Sequence, residues 1–219
     1  MAAPTLDAVP EALTLQSDDT TTLEAELARP DGTPRVGVVL CHPHPQYGGT
    51  MRSIVISALF EALPKVGAVA LRFNFRGVEH STGSFDEGHG ERRDARAAIA
   101  ALTGDLGPTT PLVLVGWSFG ADIALSVHEA SVTAWVGIAP PLRYAADLDS
   151  IAADQRSKLL ILADHDEFRP AEEVAALAAA WTNTAVEVVG GASHFFVGRT
   201  ERVAQLTTAF IDDLFPATA

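Results

Sequence analysis

The segment Gly116-Trp117-Ser118-Phe119-Gly120 limits what this chain can fold into more than any other. It follows the apolar run Pro111–Val115, which reads as a buried strand, and precedes Ala121–Val127, which reads as a helix. A serine between two glycines at a strand-to-helix turn is the arrangement that lifts a nucleophilic Oγ above a sheet. So tight a turn leaves no room for side chains at 116 and 120, which calls for glycine at both. The first N–H groups of the helix then point toward any oxyanion formed at the serine.

The flanking pattern predicts a layered α/β architecture. Leu13–Gln16 and Thr22–Ala28 read as a hairpin joined by the turn residues Ser17–Thr20. Continuous apolar runs then recur at Val36–Cys41, Ala68–Phe73, Val132–Ile138, Lys158–Ala163 and Ala185–Val189, as expected of strands buried on both faces. Between them, helical spacing appears over Ser53–Leu63, Glu91–Thr103 and Ala171–Trp181. Val203, Leu206, Phe210 and Leu214 mark a final amphipathic helix. Strand–helix alternation of this kind predicts a mostly parallel sheet of about eight strands, with an N-terminal antiparallel hairpin and helices on both faces. No linker or repeat interrupts it, so residues 1–219 read as a single domain. Sheets of this type place function in the loops at the carboxyl ends of the strands.

Composition narrows the partners. The net charge of −13 disfavours nucleic acid and anionic membrane. No apolar run reaches the length of a transmembrane helix, and Met1–Pro10 lacks the basic and apolar regions of a signal peptide. The expected compartment is the cytoplasm, and the single cysteine, Cys41, reads as a buried core thiol in keeping with it. The oligomeric state is left open.

A serine hydroxyl needs a base, and the base needs an orienter. His194, in the loop after the last strand, is the one histidine that follows both Ser118 and a plausible acid. The acid loop after Ala163 holds Asp164, Asp166 and Glu167. Asp164 is its first residue, while Asp166 has more freedom to turn back over the sheet and takes only a slight lead. Phe119 N–H, next to the nucleophile, is one expected oxyanion donor. A second should come from the loop after Cys41, where Pro43 and Pro45 have no N–H and His44 does. Two histidines, His42 and His44, make a poor metal site, so no metal is expected. Arg72 and Arg76 could bind an acidic substrate, but the plainer reading is that Arg76 ties down the loop after it. Tyr47, Trp117, Leu142, Phe168 and Phe196 are the expected pocket-wall side chains for a small-molecule substrate.

The motifs His42-Pro-His-Pro-Gln-Tyr-Gly-Gly-Thr-Met51, Arg72-Phe-Asn-Phe-Arg-Gly-Val78, Gly83-Ser-Phe-Asp-Glu-Gly-His-Gly-Glu91, Gly116-Trp-Ser-Phe-Gly120 and Ser193-His-Phe-Phe196 together resemble the α/β-hydrolase superfamily. More narrowly, the chain resembles small lid-less bacterial serine hydrolases, dienelactone-hydrolase-like or esterase-like. The resemblance implies a Ser118–Asp166–His194 triad, with Ala163-Asp-His-Asp166 matching the superfamily's G-x-x-D turn, although alanine replaces its glycine. Glu79-His80 and Ser53 also depart from the group's pattern. The implied function is hydrolysis of a small carboxylic ester, thioester or lactone through an acyl-enzyme, with no cofactor. The alternatives are acyl transfer on the same triad and a non-catalytic binding module on the same fold. Only the short stretch 139–157 stands where a lid would be inserted, so no substantial lid is expected.

Overall fold

The computed structural model describes residues 10–17 and 20–216. The predicted turn at Asp18 and Asp19 and the reading of the first nine residues lie outside the described residues. Eight strands form one sheet in the order β1-β2-β4-β3-β5-β6-β7-β8. They are β1 Glu11–Gln16, β2 Thr22–Ala28, β3 Val36–Cys41, β4 Ala68–Phe73, β5 Leu112–Trp117, β6 Val132–Ile138, β7 Ser157–His165 and β8 Thr184–Ser193. β1 pairs antiparallel with β2, and β2 antiparallel with β4. Every other pairing, from β4–β3 across to β7–β8, is parallel.

The pleat sorts side chains into two cores. In β3, Val38 and Leu40 face one layer and Val39 and Cys41 the other, because successive residues of a strand point to opposite faces. The first layer packs under α1 (Ile54–Ala62) and α6 (Thr200–Leu214), through Val55, Leu59, Val203 and Ile211. The second packs under α2 (His89–Leu106), α3 (Phe119–Leu125), α4 (Leu148–Ala153) and α5 (Ala171–Ala178), through Ala98, Ile123, Ile151 and Val174. Both faces of the central strands are thereby closed. This accounts for apolar runs that show no alternation.

The strand ends gather the loops that matter. β3, β5, β6, β7 and β8 run parallel, so the segments after Cys41, Trp117, Ile138, His165 and Ser193 emerge at one edge of the sheet. The segment between β6 and β7 holds only the six-residue α4 and no inserted lid. Among the described residues no helix is long and apolar enough to cross a membrane.

Candidate active site

The elbow at Ser118 is set by backbone crowding. A Cβ at position 116 would lie 2.0 Å from the Gly120 carbonyl oxygen, and one at 120 would lie 2.2 Å from the Cys41 carbonyl oxygen. Glycine is thus needed at 116 for the turn itself and at 120 for the close approach of β3. Ser118 between them has φ 56° and ψ −122°, outside the regions an L-residue adopts without strain. Its N–H donates to the Ile138 carbonyl at 2.8 Å, which fastens the strained peptide to β6.

Three loops converge on this serine. Ser118 Oγ is 2.8 Å from His194 Nε2, and His194 Nδ1 is 2.8 Å from Asp166 Oδ2. The His194 and Asp166 side chains are only 5% and 4% exposed, so their interaction is shielded from water. Burial pushes the Asp166 carboxyl up. The hydrogen bond and charge of His194, with the Phe168 and Arg169 N–H groups on Oδ1, outweigh that and hold it below its ordinary value. An ionised Asp166 fixes the proton of the neutral imidazole on Nδ1 and leaves Nε2 as an acceptor facing the serine.

The two remaining acids of this loop also hold the histidine segment. Asp164 Oδ2 accepts the Gly191 N–H at 3.2 Å, and Glu167 Oε2 accepts the His194 N–H at 3.0 Å. The contest between Asp164 and Asp166 is resolved geometrically, because only Asp166 meets the imidazole.

The loop after β3 is locked from both sides. His42 is wholly buried, and its Nε2 accepts the Phe75 N–H at 3.0 Å, which leaves Nδ1 to donate to the Pro43 carbonyl at 2.6 Å. Burial lowers its pKa to about 3, so it stays neutral. With both ring nitrogens used, His42 is a structural strut. Among the described residues no group of three or more His, Cys, Asp or Glu side chains is placed to hold a metal ion. The His44 carbonyl accepts the Tyr47 and Gly49 N–H groups, each at 3.1 Å, which fixes the orientation of the neighbouring peptides. Phe119 begins α3, so its N–H has no acceptor inside the helix.

Aromatic side chains flank the serine. The His44 ring packs against Tyr47, Phe85, Phe119 and Tyr144 with centroids 4.6–5.4 Å apart. His44 Nδ1 accepts the Gln46 N–H, so the ring proton sits on Nε2 and is donated to the Tyr144 hydroxyl at 3.2 Å. On the other side the Phe168 ring lies 4.5 Å from His194, with Phe195 beside it. Asp122, buried in the first turn of α3, accepts the N–H groups of Leu142, Arg143 and Tyr144 and so pins the loop after β6.

Two expected wall residues are corrected. Trp117 and Phe196 are 4% and 0% exposed and belong to the core under α1 and α6, so neither lines the cleft. The pleat that lifts Ser118 above the sheet turns its neighbour Trp117 down into the layer below. Tyr47 and Phe168 are exposed, and Leu142 is partly buried at the rim. Phe85, Tyr144 and Phe195, none of them among the expected wall residues, join this rim through their ring contacts with His44 or His194. Arg76 is buried against Asp94, with N···O distances of 2.7 and 3.0 Å, and Arg72 is paired with Glu26, so both guanidiniums are committed within the fold. Burial pushes the Cys41 thiol up, which makes it a poor nucleophile.

No protein-family model matches the chain. It is 30% identical over 183 residues to an uncharacterized protein of Rickettsia prowazekii, covering 79% of this chain and 77% of the relative. Among solved structures it resembles an alpha-beta serine hydrolase homologue from Coxiella burnetii, with a TM-score of 0.84, 32% identity, and coverage of 95% of this chain and all of the other. It also resembles an α/β serine hydrolase without a lid from Xanthomonas campestris, at 29% identity with a TM-score of 0.83, covering 99% of this chain and 100% of that one. With this sheet order, this elbow and this likeness along nearly its whole length, the chain belongs to the α/β-hydrolase superfamily, in its form without a lid.

Proposed function

We propose that this chain hydrolyses small carboxylic esters through an acyl-enzyme on Ser118. The observation that carries the reading is the unbroken contact from Ser118 Oγ through His194 to Asp166, at 2.8 Å for each step, on a serine with a strained backbone. His194 Nε2 takes the Ser118 proton as Oγ attacks the acyl carbonyl. Asp166 stabilises the imidazolium that forms. The Phe119 and His44 N–H groups hold the tetrahedral oxyanion. The imidazolium then protonates the leaving alcohol, and the neutral imidazole activates a water that releases the acid. No step calls for a cofactor. Thioesters and lactones present the same carbonyl and fall within the same reading.

Hydrolysis is favoured over acyl transfer by the openness of the site. Ser118 is partly exposed, and no lid shields an acyl-enzyme from water. The test is turnover of p-nitrophenyl acetate. Wild-type protein is expected to release nitrophenol at a rate that Ser118→Ala lowers by roughly 10⁴-fold or more with the fold intact. Equal turnover by a folded Ser118→Ala protein would overturn the reading.

A further inference from the structure

His194 is held at more points than a triad requires. Its ring nitrogens contact Ser118 and Asp166, as described above. Its backbone is held as well. The Trp117 indole Nε1–H donates to the His194 carbonyl at 3.2 Å, and Glu167 Oε2 accepts the His194 N–H at 3.0 Å. Trp117 immediately precedes Ser118, and Glu167 immediately follows Asp166. The chain neighbours of the nucleophile and of the acid therefore grip the two polar groups of the histidine's own backbone.

We propose that Trp117 and Glu167 are positioning residues that hold His194 in register with Ser118 and Asp166. This rests on the reading of His194 as the base.

The physical need follows from where His194 lies. It sits just beyond β8, an edge strand paired on one side only, by β7. Gly190 and Gly191 precede it, and Gly191 has a positive φ of 65°. Such a segment has little stiffness of its own. A displacement of about 1 Å at a reacting group can cost up to about 10²-fold in rate. The ring contacts alone would let the imidazole follow any shift of its backbone. The clamp removes that freedom by tying the His194 peptide to the two segments that carry its partners. Trp117 is buried in the core, so its N–H is a fixed donor. Glu167 is exposed and can be altered without disturbing packing.

Glu167→Ala removes the acceptor, and Glu167→Gln keeps an oxygen for the N–H while removing the charge. On p-nitrophenyl acetate, with active sites counted by a fluorophosphonate, Glu167→Ala is expected to lower kcat per labelled site by about five- to twenty-fold with KM nearly unchanged. Glu167→Gln is expected to recover kcat to within about twofold of wild type, since the hydrogen bond and not the charge is at work. Amide hydrogen exchange provides a readout that needs no activity. The His194 N–H should exchange faster in Glu167→Ala and stay protected in Glu167→Gln.

Wild-type kcat in Glu167→Ala, equal damage by both variants, or unchanged His194 exchange in Glu167→Ala would each overturn the clamp. Failure of the wild-type protein to take up the fluorophosphonate would instead overturn the base and nucleophile assignment. The exchange experiment would still decide whether Glu167 holds the backbone.

Discussion

At the scale of single residues, the account rests on which side chains meet the imidazole. Asp166→Asn should lower kcat on the order of 10⁴-fold, because an amide stabilises the wrong imidazole tautomer and cannot balance the imidazolium. Asp164→Asn should change kcat by less than about threefold, since Asp164 meets the Gly191 N–H and the exposed His165 ring rather than His194, and an amide oxygen can still accept that N–H. The reverse order of damage, measured with p-nitrophenyl acetate, would contradict the assignment. The pH profile makes a linked test. The Asp166 carboxyl is held below its ordinary value of 3.8, so it is ionised at neutral pH. Asp166 then adds no second ionisation to the acid limb, and log kcat/KM should rise with pH with a slope no steeper than one. A slope of two would show a second group that must ionise. Ser118 and His194 were legible as candidates because each follows an apolar strand run, where this architecture collects function, whereas the same spacing gave Asp166 only a slight lead over Asp164. Glu167 and Asp122 were not legible. Their partners are backbone N–H groups brought near by the fold, and nothing in the spacing of acids along the chain records that.

At the scale of elements, the elbow and the strands that feed it were readable because buried strands leave unbroken apolar runs. β8 extends to Ser193, beyond the predicted end at Val189, because after an irregular stretch at the two glycines its pairing with β7 resumes at Ser193 opposite His165. α2 begins at His89, earlier than the predicted Glu91. Glu91 accepts the Gly88 N–H at 2.8 Å and caps that end. Trp117 was misread for a simpler reason. An aromatic residue beside a candidate nucleophile suggests a wall, while the alternation of β5 sends it into the core. The elbow itself can be tested through its glycines. Gly120→Ala places a Cβ against the Cys41 carbonyl, where neither backbone can move aside. It should destabilise the protein by about 2–4 kcal/mol in urea unfolding. A loss below about 0.5 kcal/mol would mean that β3 and the elbow are less closely packed than described.

At the scale of the whole molecule, the fold leaves the serine open to solvent beneath a rim of aromatic side chains. Tyr47, Phe168 and Phe195 are exposed there, against His44 or His194. Two cavities of about 250 and 290 Å³ lie against the N-terminal hairpin, lined by residues such as Leu13 and Leu27 or Glu24 and Arg52, away from Ser118. A buried CH₂ favours binding by about 0.8 kcal/mol only where a wall covers it. Along a series of p-nitrophenyl esters, kcat/KM is therefore expected to peak at short acyl groups, roughly C2 to C6, and to fall beyond them. A steady rise through C10 to C16 would reveal a deep apolar channel. The net charge of −13 should also favour neutral over anionic esters. The central claim is that Ser118 forms a covalent bond to the acyl group, and the most direct measurement is the site of a trapped adduct. After reaction with a fluorophosphonate, intact mass should rise by one phosphonyl group, and peptide mapping should place it on Ser118, with no adduct in Ser118→Ala. An unmodified protein, or a phosphonyl group on any other side chain, would contradict the account.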